Sequence, residues 1–128
     1  MEEAKPKLLV VEDDVEISRF IQKFMKNHFD IWDCYSSDTF YERLEQNKYD
    51  IIIMDIALSG EKDGLQLTKE LRKMDEYKDT PIIAMSAHVF EKDKVNAFNA
   101  GVDHFLAKPV SNDVLKETLL KFASKKKS

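Results

Sequence analysis

The stretch Ile51-Ile52-Ile53-Met54-Asp55 decides the fold, because four apolar residues run directly into a single carboxylate. A short, continuous apolar run rich in β-branched residues is typical of a strand buried on both faces, as in a parallel sheet. A carboxylate at the end of such a strand lies at the carboxyl edge of the sheet, where open α/β sheets bind their ligands. Taken alone, Asp55 would be interpreted as a residue that merely ends the strand and begins a turn. The rest of the chain favours a functional site.

Similar apolar runs occur on both sides of this stretch. Strands are predicted at 7–11, 31–35, 82–85 and 103–107. Segments with a one-sided apolar period lie between them and predict helices, the first from about residue 15 to residue 27. Strand and helix alternate five times, which predicts an α/β fold with a five-stranded parallel sheet flanked by five helices.

Composition favours one water-soluble domain. The chain has 128 residues, and we expect a single domain over 1–128, with its core at about 7–124 and flexible ends at 1–6 and 125–128. The net charge of −4 does not favour direct binding to nucleic acid or an anionic membrane. The single cysteine fits a reducing compartment, no apolar run approaches the roughly 20 residues that span a bilayer, and the N-terminus is too acidic for a signal peptide. A cytoplasmic location is expected.

Four of the five predicted strands end in an ionisable or hydroxylic residue. These are Asp13 and Asp14, Asp55, Ser86 and Lys108. Because parallel strands point the same way, three carboxylates would crowd together and raise at least one pKa unless a cation lies among them. Mg²⁺ suits a site with few carboxylates and several waters. A carboxylate can attack phosphorus as a nucleophile, and an ammonium and a hydroxyl can stabilise the transferring phosphoryl group.

Six short motifs occur along the chain in a specific order and spacing. They are Val11-Glu12-Asp13-Asp14, Ile53-Met54-Asp55, Asp63-Gly64, Ile83-Ala84-Met85-Ser86-Ala87, Ala100-Gly101-Val102-Asp103 and Phe105-Leu106-Ala107-Lys108-Pro109. Together they resemble the receiver (CheY-like) domain of two-component response regulators over nearly the whole chain, and their wording is closest to receivers of hybrid histidine kinases. The resemblance implies a flavodoxin-like fold with strand order 2-1-3-4-5.

The resemblance also implies a metal site and an acceptor. Asp55 would accept a phosphoryl group from a histidine kinase or a histidine phosphotransfer protein. Asp13, Asp14 and Asp55 would hold Mg²⁺, with Mn²⁺ as a substitute and the backbone carbonyl of Ala57 as a further ligand. Glu12 is expected either to orient the metal ligands from outside the coordination sphere or to be solvated.

Further roles follow from the same resemblance. Ser86 and Lys108 would contact the phosphoryl group, and the Lys108–Pro109 peptide bond would be cis. Phe105 occupies the position of the family's switch aromatic, although an ordinary core role is the alternative. As Ser86 is drawn inward, Phe105 would rotate into the space behind it. The face built from Phe105 and the helices at 91–100 and 111–122 would then bind a downstream protein or a second copy.

Such a domain is a signalling phosphoacceptor rather than an enzyme, and it catalyses only its own phosphorylation and dephosphorylation. A phosphohydrolase of the haloacid dehalogenase type would need a second aspartate at the position of Ala57. A flavin-binding module would need a glycine-rich phosphate loop, which the three glycines do not build. A receiver that works without phosphorylation is the remaining alternative, and the complete set of site residues argues against it.

Two features depart from the family pattern. The loop between Asp55 and Asp63-Gly64 is one residue longer than usual and lacks the usual proline. The positions that tune the lifetime of the phosphoryl group carry Ala57, which has no polar side chain, and His88, an uncommon choice. Both features concern the surroundings of the acceptor rather than the acceptor itself.

Overall fold

Five strands alternate with five helices in the computed structural model, which describes residues 4–126 and, for 125 and 126, the backbone alone. The sheet is wholly parallel with the order β2-β1-β3-β4-β5, as predicted. The elements are β1 (Lys7–Val11), α1 (Val15–Met25), β2 (Asp30–Cys34), α2 (Ser37–Gln46), β3 (Ile51–Asp55), α3 (Gly64–Lys73), β4 (Ile82–Ser86), α4 (Glu91–Ala100), β5 (His104–Ala107) and α5 (Asn112–Lys126).

The central strand β3 is buried along its whole length, as its apolar run predicts. Helices α1 and α5 cover one face of the sheet, and α2, α3 and α4 cover the other, so that two apolar layers enclose the strands. In the register, Met54 lies beside Val11 of β1, and Asp55 lies beside Met85 of β4. Glu12, which follows Val11, is therefore level with Asp55 at the carboxyl edge, and Ser86, which follows Met85, lies one position beyond it.

Several element boundaries differ from the predicted ones by one or two residues. Helix α1 ends at Met25 rather than at residue 27, because the Met25 carbonyl accepts hydrogen bonds from the His28 and Phe29 amides and closes a turn. Strand β5 begins at His104, one residue later than predicted, and Asp103 before it is joined to Ile82 twice: its amide donates to the Ile82 carbonyl, and its carboxylate accepts from the Ile82 amide.

The expected flexible ends fall partly outside the described residues. Residues 1–3 and 127–128 are not described. The carbonyl of Pro6 accepts a hydrogen bond from the Asp30 amide, so the ordered backbone begins before residue 7. Helix α5 continues through Lys126, beyond the predicted end of the core. Within residues 4–126, no helix combines the length and the apolar character that crossing a bilayer requires.

Large apolar side chains on two helices point outward. On α1 the buried apolar positions are Ile21 and Met25, while Phe20 is 50% exposed and stacks on Phe24. On α4 only the small residues Ala97 and Ala100 are buried, whereas Val95 and Phe98 are 46% and 47% exposed. Helix α4 therefore packs closely on the sheet through alanine and presents its larger apolar residues to solvent.

Arg72, at the end of α3, ties together the edge of the molecule opposite Asp55. Its Nε donates to the carbonyl of Gly101, which ends α4, and one terminal nitrogen donates to the Thr80 carbonyl. The other terminal nitrogen forms an ion pair with Asp103 at 2.8 Å. The C-terminal end of α4 is thus fastened to α3 and to the start of β5. The N-terminal end begins at Phe90, which is 70% exposed and provides no side-chain cap.

Candidate functional site

Three carboxylates meet at the carboxyl ends of β1 and β3. They belong to Glu12, Asp13 and Asp55, and one oxygen from each lies within 4.8 Å of the others. Glu12 and Asp55 are buried, and Asp13 is half-buried. Carboxylates this close with so little solvent are unfavourable unless positive charge compensates them.

The predicted membership of this cluster is wrong at one position, because Asp14 is replaced by Glu12. The Oδ1 atom of Asp14 accepts hydrogen bonds from the amides of Glu16 and Ile17, so its side chain caps α1. An aspartate satisfies the free amides of a first helical turn well, and that interaction turns Asp14 away from the metal site. Strand β1 ends at Val11, and Glu12 is the first residue past it. In the sequence, the position of Glu12 directly after the apolar run of β1 was the feature that could have predicted its place in the cluster.

Lys108 supplies the compensating charge. Its Nζ lies 2.7 Å from Glu12 Oε1 and 3.6 Å from Asp55 Oδ2. Burial by itself would lower the pKa of Lys108, but the hydrogen-bonding interaction with Glu12 and the charge of Asp55 hold this pKa above its ordinary value. The lysine is therefore a fixed cation between two buried carboxylates.

Glu12 carries the least favourable charge of the cluster. Desolvation raises the pKa of Glu12 to about 7, although Lys108 acts in the opposite direction. Its Oε2 accepts from the Asp14 amide at 3.1 Å. Its Oε1 is buried, and beyond the close ion pair with Lys108 no donor is aligned with it for a hydrogen bond. The pKa of one carboxylate in the cluster is thus raised, but desolvation rather than crowding is the main cause, and the neighbouring Asp55 carboxylate adds to it.

Asp13 behaves differently from its neighbour. Burial would raise the pKa of Asp13, but hydrogen bonding with the Asp55 carboxyl and with Ser59 outweighs this and lowers that pKa below its ordinary value. The Ser59 amide donates to Asp13 Oδ2 at 3.2 Å, across 46 positions of sequence. This contact was missed in the sequence because a backbone amide carries no residue-specific signal.

The loop that follows Asp55 wraps tightly around the acceptor. The Ala57 amide donates to Asp55 Oδ1 at 3.0 Å. Gly64 opens α3 directly against the strand, where an added Cβ atom would lie 2.1 Å from the Asp55 carbonyl oxygen. Only glycine allows this approach, which accounts for the Asp63-Gly64 motif. Asp63 caps α3 in a reciprocal pair with Gln66.

Ser86 lies on β4, next to the strand that carries Asp55, and Phe105 lies on β5, the strand beyond β4. Ser86 is buried at the end of β4, and its Oγ accepts from the amide of the exposed residue His88 at 2.9 Å. Phe105 is half-buried and packs against the core layer formed with α2, α3 and α4. The Lys108–Pro109 bond is cis, as the resemblance implies.

The donor set fits a hard divalent cation. Three carboxylates offer oxygen atoms at close quarters, and the buried Glu12 Oε1 lacks an aligned hydrogen-bond donor. The described part of the site offers no cysteine or histidine ligand in that group, so the chemistry favours Mg²⁺ over a softer metal.

Residues 8–120 match the model of the response regulator receiver domain family. The transcriptional regulatory protein SrrA of Staphylococcus aureus strain NCTC 8325 is 33% identical over 105 residues, which is 81% of this chain and 42% of SrrA. The chain therefore spans less than half the length of this curated relative.

Solved receiver domains share the fold over nearly the whole chain. The receiver domain of the Francisella response regulator 1452 is 32% identical with a TM-score of 0.84, covering 94% of this chain and 98% of that one. The receiver domain of the sensor histidine kinase PA1611 of Pseudomonas aeruginosa, with a magnesium ion coordinated in its active-site cleft, is 27% identical with a TM-score of 0.84, covering 94% of this chain and 99% of that one. Relatives thus include both a transcriptional regulator and a kinase, and the closer likeness to hybrid-kinase receivers stays a prediction.

Proposed function

The chain belongs to the response regulator receiver domain family, a class of two-component phosphoacceptors, and from this premise we propose that Asp55 is the residue that accepts the phosphoryl group. The observation that carries this proposal is the position of Asp55. It is a buried carboxylate at the end of the central strand, 3.6 Å from the Lys108 ammonium and within the cluster that contains Glu12 and Asp13.

We further propose that Asp13 and Asp55 hold Mg²⁺ through their carboxylates, with Glu12 beside them and the Ala57 carbonyl as a further ligand. Mn²⁺ is expected to substitute. The cation supplies charge neutralisation for the incoming phosphoryl group. The magnesium ion in the receiver domain of PA1611 supports this assignment by similarity.

In the transfer step, a carboxylate oxygen of Asp55 attacks the phosphorus of the donor. The P–N bond to the imidazole of a phosphohistidine breaks, and the imidazole keeps the electron pair and takes up a proton from water. Lys108 turns from Glu12 and Asp55 toward the phosphoryl oxygens, and the Ser86 hydroxyl donates to one of them. Attack of water on phosphorus then releases inorganic phosphate and restores the carboxylate, so the chain catalyses only its own phosphorylation and dephosphorylation.

The donor we propose is a histidine kinase or a histidine phosphotransfer protein. The output surface we propose is built from Phe105, α4 and α5, and it binds a downstream protein or a second copy. Exposed apolar side chains on both helices support this choice, including Phe98 on α4 and Val114 on α5. SrrA is a transcriptional regulator, but no DNA contact is proposed for the present chain.

Intact-mass measurement with acetyl phosphate and Mg²⁺ tests the acceptor. Wild type should gain one phosphoryl group, Asp55→Asn should gain none, and the exposed control Asp38→Asn should behave as wild type. Equal incorporation by wild type and Asp55→Asn would refute the assignment. A signal that persists without divalent cations would refute the metal requirement.

A further inference from the structure

The loop between β3 and α3, at 56–63, is held in place by a side-chain cluster that the phosphoryl chemistry does not use. Lys62 Nζ lies 2.7 Å from Glu70 Oε2 and donates to the Tyr41 hydroxyl at 2.9 Å. That hydroxyl in turn donates to Glu70 Oε1 at 2.8 Å. Loop, α2 and α3 are thereby joined in a closed triangle of charge-assisted hydrogen bonds.

The electrostatics of this triangle agree with its geometry. The hydrogen bonds that Lys62 donates to Glu70 and Tyr41 raise the pKa of Lys62 above its ordinary value. The same ammonium lowers the pKa of Glu70. Lys62 and Glu70 are therefore both charged across the physiological range, and the triangle does not open through loss of charge near neutral pH.

A second tie fixes the middle of the loop to α2. The Lys62 amide donates to Ser37 Oγ at 3.3 Å. Gly60 has a φ angle of +115° and lies against Ser37, where an added Cβ atom would be 3.1 Å from Ser37 Oγ. The loop thus turns sharply at Gly60 and runs along the start of α2 before it reaches Asp63.

The third tie leads into the metal site. Ser59, next to Gly60, is exposed, and its amide donates to Asp13 Oδ2. The loop provides the hydrogen bond that orients one proposed metal ligand, and this hydrogen bond contributes to the lowered pKa of Asp13. Ligating carboxylates are commonly held by such outer hydrogen bonds, whose loss weakens metal binding.

We propose that Lys62 is a positioning residue for this site. Together with Tyr41 and Glu70 it fastens the lengthened β3–α3 loop so that the Ser59 amide holds Asp13 ready for the cation. The inference rests on the proposed function, because it concerns the metal ligand Asp13. A longer loop has more conformations to lose on ordering, and side-chain ties reduce that freedom in a loop that has no proline.

The test measures the binding of Mg²⁺ to Lys62→Met by calorimetry, without any phosphodonor. The variant should bind Mg²⁺ about tenfold more weakly than wild type, the lower end of what losing an outer hydrogen-bond partner costs. Lys69→Met, at an exposed position of α3, is the matched control and should leave the affinity unchanged. Lys62→Arg keeps the charge and should restore most of the affinity. Tyr41→Phe removes one hydroxyl only and should weaken binding in the same direction.

Hydrogen exchange of the metal-free protein provides a second readout. The Ser59 amide should exchange faster in Lys62→Met than in wild type and in Lys69→Met, while the midpoints of urea unfolding of the two variants stay close together. Phosphorylation of Lys62→Met by acetyl phosphate should recover to the wild-type rate at saturating Mg²⁺.

The outcomes separate the two proposals. Unchanged Mg²⁺ affinity in Lys62→Met, or unchanged exchange of the Ser59 amide, overturns the role of Lys62 while phosphorylation of Asp55 can still stand. Wild type that binds no Mg²⁺, or Asp55→Asn that still accepts a phosphoryl group, refutes the proposed function itself.

Discussion

At the scale of single residues, Glu12 and Asp13 are neighbours in sequence, but the protein shifts their pKa values in opposite directions. Glu12 is enclosed and its pKa is raised, while Asp13 receives hydrogen bonds and its pKa is lowered. We therefore expect that removing the Asp13 charge will not stabilise the metal-free protein. Glu12 is the carboxyl group whose ionised form destabilises the metal-free fold.

Glu12 gives the metal-free protein a defined pH dependence. The folded protein holds the Glu12 proton more tightly than the unfolded chain, because the pKa rises from an ordinary 4.5 to about 7. The stabilising contribution is complete below the unfolded pKa and is lost as the pH rises through the folded pKa. The free energy of unfolding, from urea melts without divalent ions, should include a decrease between about pH 5 and about pH 8 that Glu12→Gln lacks.

The comparison with Glu12→Gln is needed because His104 acts in the opposite direction. Burial lowers the pKa of His104, so its contribution to stability grows as the pH rises through its unfolded pKa. If the free energies of unfolding of wild type and Glu12→Gln depend on pH in the same way, burial does not raise the pKa of Glu12.

Asp13 and Asp14 should differ sharply when each is replaced by alanine. Asp13→Ala removes a proposed ligand and should weaken Mg²⁺ binding by at least about tenfold, since loss of an outer partner alone reaches that size. Asp14→Ala removes the cap of α1 and should cost about 1 kcal/mol of stability with little change in Mg²⁺ affinity. Calorimetry and urea melts measure the two effects. A larger loss of affinity for Asp14→Ala would restore the sequence-based assignment.

At the scale of elements, the alternation of apolar runs and amphipathic segments was sufficient to predict every strand and helix. Sequence patterns failed where side chains compete with the backbone. The choice between Glu12 and Asp14 depended on which carboxylate the first turn of α1 recruits, and consecutive acidic residues look alike in sequence. In helix α4 the position of the large apolar residues does not identify the buried side, because alanines rather than Val95 and Phe98 form it.

The junction between β3 and α3 has no room for a side chain at its first helical residue. A methyl group at Gly64 would contact the Asp55 carbonyl, which belongs to the central strand and cannot move independently. Gly64→Ala should therefore destabilise the protein by about 1–3 kcal/mol, the usual range for overpacking a core. Urea melts measure the loss, with the exposed loop variant Ser59→Ala as control. Equal midpoints for the two variants would mean that α3 can shift away from β3.

At the scale of the whole molecule, we expect Ser86 and Phe105 to connect the proposed acceptor to the exposed apolar side chains of α4 and α5. In this structure Phe105 is half-buried and Ser86 Oγ accepts from the His88 amide. Binding of beryllofluoride, a phosphoryl mimic, should draw the Ser86 hydroxyl toward Asp55 and break that hydrogen bond. Partners that prefer the resulting surface then shift the population in proportion to their difference in affinity.

Chemical-shift mapping with and without beryllofluoride checks this expectation. The changes should extend from the site loops through Phe105 to α4 and α5. Ser86→Ala should bind the mimic but confine the changes to the loops, because the hydroxyl that moves is missing. Changes that never reach Phe105 in wild type would contradict a switch through this residue.

The fastening of α4 by Arg72 determines which end of that helix can carry a signal. Because the Gly101 carbonyl is held by Arg72, we expect the last turn of α4 to stay in place and its first turn to move when the helix shifts. That first turn begins at Glu91, a short loop after Ser86, and the exposed residue Phe90 precedes it. The signal from Ser86 and the expected movement of α4 therefore occur at the same end of the helix. We therefore expect a protein that distinguishes the phosphorylated from the unphosphorylated state to contact α4 near Phe90. A contact confined to the last turn of α4 would be almost the same in both states.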